Sequence, residues 1–579
     1  MKLLRKYFKQ NMRDGVLAPA LKLCEALMDL LVPLVIAEII NKGIVQHNMH
    51  LVAKYFVLLL VLAALGLIFS VSAQYMAAKF AVGYSTKLRQ FLFDHIQGLS
   101  YTELDTLGTD TLITRMTSDI NQVQNGINLA LRLVLRSPFI VFGSMIMAFT
   151  INVKAALVFL VTIPVLSVVV FGIMLGSVPL YKKSQTALDH LTGVTRENLA
   201  GVRVIRAFCK EQDEIHDFDN KNEALTRMNE IVGRVAALMN PLTFLIINVA
   251  TIILIYVGAI EVNAGGLLQG DVVALYNYMA QILVELVKLA NLIININRAM
   301  ACSERIDDIF RVKSDMAFPE ETTEPKEDND ICVAFDHVTF GYKGSGDASL
   351  SDISFQVPRG ATVGIIGGTG SGKSTLANLI PRFYDTSSGS VYVDGRNVRD
   401  YADGELIDKI GVVPQKAVLF EGTIRDNLKW GNQDADDEQL WEAIRTAQAE
   451  EVVENKERKL DERIEQNGQN FSGGQKQRLT IARALVKKPE ILILDDSSSA
   501  LDFATDRNLR IALHKLSGKM TTFIVSQRAA SIKMADMILV LNDGELVGEG
   551  KHEELMKDCE VYQEIYYSQF PEAREEETA

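Results

Sequence analysis

Nine consecutive residues, Gly367-Gly368-Thr369-Gly370-Ser371-Gly372-Lys373-Ser374-Thr375, combine four glycines with an amine and several hydroxyls. In the order G-x-x-x-x-G-K-S, glycines let backbone N–H groups close around a phosphate. Lys373 then reaches the β- and γ-phosphates, and the Ser374 hydroxyl ligates Mg²⁺. The apolar run 361–366 (ATVGII) precedes the loop and the helix-forming LANLI follows it. That is the strand–loop–helix setting such a cradle needs. Farther on, Ile491-Leu492-Ile493-Leu494-Asp495 is a buried-strand pattern ending in a carboxylate, placed to deliver Asp495 to a Mg²⁺ shell. The chemistry these residues can do is to hold a nucleoside triphosphate and its magnesium ion.

The elements that must position them lie in the second half of the chain. Short β-branched runs at 331–335, 361–366, 391–393, 491–494, 522–526 and 537–541 alternate with helical stretches, which predicts an α/β domain with a largely parallel sheet over 331–570. An acidic, proline-containing stretch at 313–330 (KSDMAFPEETTEPKEDND) reads as a linker, and 571–579 (PEAREEETA) as a solvated acidic tail.

The first half reads for a different solvent. Apolar stretches of spanning length fall near 16–40, 51–78, 129–151, 155–177, 236–260 and 272–297, each long enough at about 1.5 Å per residue to cross ~30 Å of hydrocarbon. Loops 41–50, 152–154 and 261–271 are short, and loops 79–128 and 178–235 are long and polar. Lys and Arg concentrate in residues 1–15 and the two long loops, against Lys42, Lys154 and none in the short ones. That asymmetry predicts cytoplasmic termini and long loops. Helical spacing of apolar residues over 85–99 and 196–209 predicts that the membrane helices extend into the cytosol. Residues 1–15, basic and without a compact apolar core, read as a retained lead rather than a cleaved signal.

Composition removes other classes. A net charge of −13 argues against a general nucleic-acid binder, which carries a basic face. The five cysteines, Cys24, Cys209, Cys302, Cys332 and Cys559, are far apart. They suit free thiols in a reducing compartment, not a disulfide scaffold or zinc module.

Phe471-Ser472-Gly473-Gly474-Gln475-Lys476-Gln477-Arg478 opens a helical run, LTIARALV. Ser472 and Gln475 alone make a capping box, but a capping box has no need of Gly473-Gly474, which suit close approach to an anion. This stretch resembles the signature motif of ATP-binding cassette proteins. With six spans, two long inner loops and one nucleotide domain, the chain resembles a half-transporter of the type I exporter family, and the degenerate-site subunit of a heterodimeric bacterial multidrug exporter in particular. The resemblance implies a helical membrane domain (1–312) and a P-loop nucleotide-binding domain with a helical subdomain. Its ligands would be ATP and Mg²⁺. It matches Tyr342 to the aromatic that stacks on adenine, with a packed surface aromatic as the alternative. Gln415 matches the loop glutamine near Mg²⁺ and the attacking water, with a turn residue as the alternative. Ser499-Ala500-Leu501-Asp502 matches the loop that touches the opposite subunit. In the inner loops, 112–120 (LITRMTSDI) and 197–212 (ENLAGVRVIRAFCKEQ) resemble stretches near the family's coupling helices.

Two positions depart from the family pattern. Asp496 stands where active sites carry a glutamate base, and Gln527 where they carry a histidine. A carboxylate one methylene short misses the attacking water by about 1.5 Å, and a ~1 Å misplacement costs about a hundredfold in rate. Glutamine can hydrogen-bond a γ-phosphate but cannot carry a positive charge. The expectation is a subunit of an ATP-driven exporter in the bacterial cytoplasmic membrane, moving amphipathic or drug-like substrates by alternating access. Its own site would hydrolyse weakly, and Ser472, Gly473, Gly474 and Gln475 would complete the site of a second, non-identical subunit. A homodimeric exporter, a lipid flippase and an ATP-gated channel are the alternatives. Within the spans, Glu25, Asp29 and Glu285 are candidate cavity residues. With Lys288 one turn from Glu285, they predict a modest acidic excess suited to amphipathic cations; hydration of an inward-open cavity, or pairing with a partner, is the other reading.

Overall fold

The computed structural model describes residue 9 and residues 11–322, 330–516 and 518–572. Most of the basic lead, residues 323–329 of the expected linker and residues 573–579 of the acidic tail lie outside the described residues. The chain divides into two compact units, Met1–Gln97 with Asp110–Val312, and Gly98–Thr109 with Lys313–Ala579.

The first unit is helical. Its long helices are Met12–Glu38, Met49–Gln97, Ile120–Leu133, Arg136–Ile151, Val153–Ala200, Glu211–Ala237, Met239–Asn263 and Gln269–Arg311. A 49-residue helix is about 74 Å long, more than twice the hydrocarbon thickness. The expected extension past the apolar stretch is therefore present in Met49–Gln97, and also in Val153–Ala200 and Gln269–Arg311. The second long loop is broken rather than continuous: the helix stops at Gly201, a short turn Val202–Ala207 follows, and Glu211–Ala237 returns. Only Asn152 separates Arg136–Ile151 from Val153–Ala200, and its side chain caps the second helix by accepting from Ala155 N at 3.0 Å.

Among the described residues five helical segments are long and apolar enough to cross a membrane: Met49–Gln97, Thr109–Ile151, Val153–Ala200, Glu211–Asn263 and Gln269–Arg311. The expected first span differs. Met12–Glu38 is a helix of 27 residues, but Lys22, Glu25 and Asp29 in its middle dilute its apolar character. Large apolar side chains such as Leu67 and Ile68 stay exposed on Met49–Gln97 (65% and 58%), a surface that suits lipid. The interior packs Phe159, Leu166, Leu254, Leu275, Tyr278 and Ile282, all fully buried.

The second unit contains a six-stranded sheet in the order Glu545–Gly550, Met537–Asn542, Thr362–Gly367, Thr521–Val525, Ile491–Asp495, Ile410–Val413. Its strands pair in parallel except for the antiparallel edge Glu545–Gly550. Near-continuous apolar runs such as ILIL suit strands buried on both faces. The runs at 331–335 and 391–393 belong instead to a separate antiparallel sheet, in which Ile331–Phe340 lies between Leu350–Pro358 and Ser388–Val393. A helical portion that includes Asp437–Thr446 and Gly473–Val486 shares one apolar core with the face of the parallel sheet carrying Leu492 and Leu494. The short helix Tyr101–Leu107 also belongs to this unit. Tyr384 Oη donates to Asp105 Oδ2 at 2.7 Å, and the Tyr101 and Phe383 rings lie 4.8 Å apart.

Candidate functional site

The carboxyl ends of the three central parallel strands converge on one cleft, where ligands of open α/β sheets bind. Register does this: Ile365 sits opposite Val525, and Val525 opposite Asp495. The loop after Thr362–Gly367, the end of Ile491–Asp495 and the Ser526-Gln527 turn therefore meet. The resulting cavity, about 360 Å³, is lined by Tyr342, Thr369, Gly370, Gly372, Lys373, Ser374, Thr375, Gln415, Asp495, Asp496 and Gln527, and also by Ser349, Val525 and Ser526. These last three carry no motif and were not legible beforehand.

The cradle needs its glycines. Gly372 has φ +94°, and a Cβ there would meet Ser349 O at 2.7 Å; one on Gly367 would meet Leu541 O at 2.2 Å. Gly368 takes part through its carbonyl: Lys373 Nζ donates to Gly367 O at 3.0 Å and to Gly368 O at 2.5 Å. The ammonium is thus held across the loop, with Ser371 Oγ at 3.5 Å. Burial lowers the Lys373 ammonium below its ordinary value, against the opposing pull of Asp496 and Asp495. Ser374 Oγ donates to Asp495 Oδ1 at 2.9 Å. Burial pushes the Asp495 carboxyl up and Asp496 adds to this, while Ser374 and Lys373 oppose it. A hydroxyl and a buried carboxylate this close, beside a cradle a Cβ would fill, fit a nucleotide-bound Mg²⁺. Ser374 and Asp495 would hold the ion, with Gln415 at the rim.

Asp496 has a left-handed backbone (φ +43°) and donates its N–H to Val525 O at 3.0 Å. Gln415 Nε2 lies 3.5 Å from Asp496 Oδ2. Gln527 is exposed just past the same end of the neighbouring strand, its carbonyl accepting from Gln569 Nε2 at 2.8 Å. Tyr342 stands at the rim, 36% exposed. Its hydroxyl is 3.1 Å from Thr375 Oγ1, and its ring is edge-on to Tyr384 at 5.3 Å.

The signature residues are not part of this cavity. Ser472 caps the helix Gly473–Val486: Gln475 N donates to Ser472 Oγ at 3.4 Å, and Ser472 N to Gln475 Oε1 at 3.0 Å. The capping box is real. Gly474 is explained within the chain, since a Cβ would lie 2.9 Å from Ala500 O, but Gly473 faces open space.

In the membrane unit the expected acidic excess is absent. Arg136, at the start of its helix, donates from Nη1 to Glu285 Oε1 at 2.6 Å and from Nη2 to Asp29 Oδ2 at 2.9 Å, with Nε 3.8 Å from Glu25 Oε1. Lys22 pairs with Glu25, and Lys288 Nζ donates to Glu285 at 2.9 Å. Three cations thus face three carboxylates. The sequence signal for Arg136 is that it is an ionisable residue inside the predicted span 129–151.

Residues 16–286 match the family described as the ABC transporter transmembrane region, and residues 350–499 match the ABC transporter family. The chain is 36% identical over 572 residues to an uncharacterized ABC transporter ATP-binding protein, MT1311, of Mycobacterium tuberculosis, covering 98% of both. It is 32% identical over 482 residues to a protein of Desulfotalea psychrophila named ATP-dependent lipid A-core flippase, covering 83% of both. Its fold is similar to that of a bacterial Atm1-family ABC exporter solved with ATP bound, with a TM-score of 0.78, 23% identity, and 96% and 98% of the two chains covered. A helical membrane region and an ATP-binding cassette on one polypeptide define an ABC half-transporter of the exporter fold. The chain belongs to the ABC transporter family, whose cassette couples ATP hydrolysis to transport.

Proposed function

We propose that this chain is one subunit of an ATP-driven exporter of the bacterial cytoplasmic membrane. It crosses the membrane six times, with Met12–Glu38 as the additional span, and both termini and the nucleotide domain are cytoplasmic. The charges of Met12–Glu38 tolerate the membrane because Arg136 and Lys22 pair them internally. The substrate is amphipathic and moves outward by alternating access.

The observation that carries this reading is the cleft itself. Lys373, Ser374 and Asp495 meet around one cavity, which supports an ATP–Mg²⁺ site, on a chain that also has long apolar helices. Asp496 and Gln527 both line that cavity, so both substitutions fall on one site, which binds MgATP and hydrolyses it slowly. Ser472 and Gly473 are exposed, and no contact within the chain requires glycine at 473. This favours a signature that closes on ATP held by another subunit, one with its own glutamate and histidine. The test is ATP-dependent uptake of an amphipathic dye into inverted vesicles, for the chain alone and with the half-transporter that co-purifies with it. Uptake only with that second protein is expected; full-rate transport by the chain alone would make it a homodimer.

A lipid flippase on the same scaffold is the second reading, favoured by the relative that carries that name. Protection of a labelled lipid from an external quencher in proteoliposomes distinguishes it.

A further inference from the structure

A second cavity, about 400 Å³, opens in the membrane unit beside the ion cluster. The cluster is graded in exposure. The Glu285, Arg136 and Glu25 side chains are 5%, 12% and 13% exposed, whereas Asp29 and Lys288 are 42% and 45% exposed. Glu285 is saturated by Arg136, Lys288 and Ser137, the last at 2.8 Å. The buried members neutralise one another, and the most exposed charges on the cavity wall are the Asp29 carboxylate and the Lys288 ammonium, each held from behind by one partner of the cluster.

We propose that this cavity binds a zwitterionic amphiphile bearing an N–H ammonium, which meets Asp29, and a phosphate or carboxylate, which meets Lys288. The proposal rests on the exporter reading above and names its substrate class. Spacing supports it. Asp29 Oδ2 and Lys288 Nζ are joined through the fixed fork of Arg136 and one oxygen of Glu285, so they lie at most about 11 Å apart. An ammonium and a phosphate joined by a two-carbon bridge are about 4–5 Å apart, and with a charge-assisted contact of about 3 Å at each end they reach no farther than that limit. Val32, Ile36, Ile140 and Val284 on the same walls accommodate an apolar tail. A simple cation would leave the exposed side of Lys288 against apolar tail, and a simple anion that of Asp29, each at the penalty of desolvating a half-exposed charge held by a single internal partner.

The test is equilibrium binding to the full chain in nanodiscs of anionic lipid, with ATP binding by the same preparations reporting a folded protein. The probes are lysophosphatidylethanolamine, N-dodecyl-β-alanine, dodecylamine and dodecyl phosphate. The wild type should bind at least one of the two zwitterions about tenfold or more tighter than either singly charged amphiphile. Binding by both assigns zwitterions at large, and binding by the lysophospholipid alone assigns a lipid headgroup. Lys288→Gln should weaken the zwitterion about tenfold and leave dodecylamine unmoved; Asp29→Asn should weaken zwitterion and dodecylamine together. Dodecylamine binding as tightly as the zwitterions, or zwitterion affinity unmoved in Lys288→Gln, overturns the proposal. Vesicle transport separates it from the exporter reading: the expected binding pattern without ATP-driven movement of any amphiphile would sink the exporter reading alone. Movement of a simple cation with zwitterions unbound would sink the zwitterion proposal alone.

Discussion

Gln415 Nε2 and Asp496 Oδ2 face one another at 3.5 Å across the mouth of the nucleotide cleft. The first follows one edge strand of the parallel sheet and the second follows its neighbour. Water attacking a γ-phosphate would be oriented between these two side chains, so the length of the second decides how well it is placed.

Restoring that length tests the slow-site reading. Asp496→Glu combined with Gln527→His should raise turnover at this chain's own site by about a hundredfold, because a ~1 Å correction is worth that much. Steady-state phosphate release checks this with the partner's site inactivated; no gain in the double variant would count against degeneracy.

Lys373→Ala and Ser472→Ala should fail differently. Lys373 bridges this chain's own cradle, so its loss should weaken ATP binding here. Ser472 is exposed at a helix start, so its loss should impair nucleotide trapping at the partner's site. Photolabelling with azido-ATP, scored subunit by subunit, reads the two apart; identical labelling patterns would refute the assignment.

Tyr342 should stack on the base rather than read it. Base–aromatic stacking is worth about 1–3 kcal/mol, so Tyr342→Ala should weaken ATP and GTP alike, by about tenfold or more. Tyr342→Phe should be nearly silent, although it loses the 3.1 Å contact with Thr375 Oγ1. Titration with a fluorescent nucleotide analogue checks it, and a large loss in the Phe variant would contradict stacking.

Topology has a direct test. Cysteines at Thr109 and Gln269, in a background lacking the native cysteines, should react with an impermeant maleimide from the inner and outer side respectively. Reaction of both from outside would invert the arrangement expected from the Lys and Arg distribution.

The nucleotide domain should lose stability on acidification through His552. Its Nδ1 is 2.8 Å from Tyr562 Oη, and burial, with Lys533 nearby, holds the imidazole below its ordinary 6.5. The unfolded chain therefore takes up the proton first. The contribution is fully present above about pH 6.5 and is lost as pH falls from there through the depressed folded value. Thermal unfolding at pH 7.5 and 5.5 should show a smaller downward shift in His552→Gln than in the wild type; equal shifts would remove His552 as a cause.

The nucleotide cradle, the strand that ends in Asp495 and the apolar stretches were legible in the sequence by itself. Each is contiguous, so nearest-neighbour sterics and hydropathy alone determine it: nine residues close a loop, and twenty apolar ones require lipid or a core. Parallel-sheet register alone brings Asp496, Gln527 and Gln415 to one cleft, because their strands are neighbours in space and distant in the chain. The sequence could not show that two of the six β-branched runs leave the parallel sheet for an antiparallel one, since both kinds of strand bury the same side chains. The clearest case is the membrane cluster. Counting carboxylates along single helices predicts an acidic cavity. The tertiary structure inserts Arg136 from a third helix and balances the charge. Electrostatic energy depends on distances of 3–4 Å across helices, which no spacing within one helix encodes.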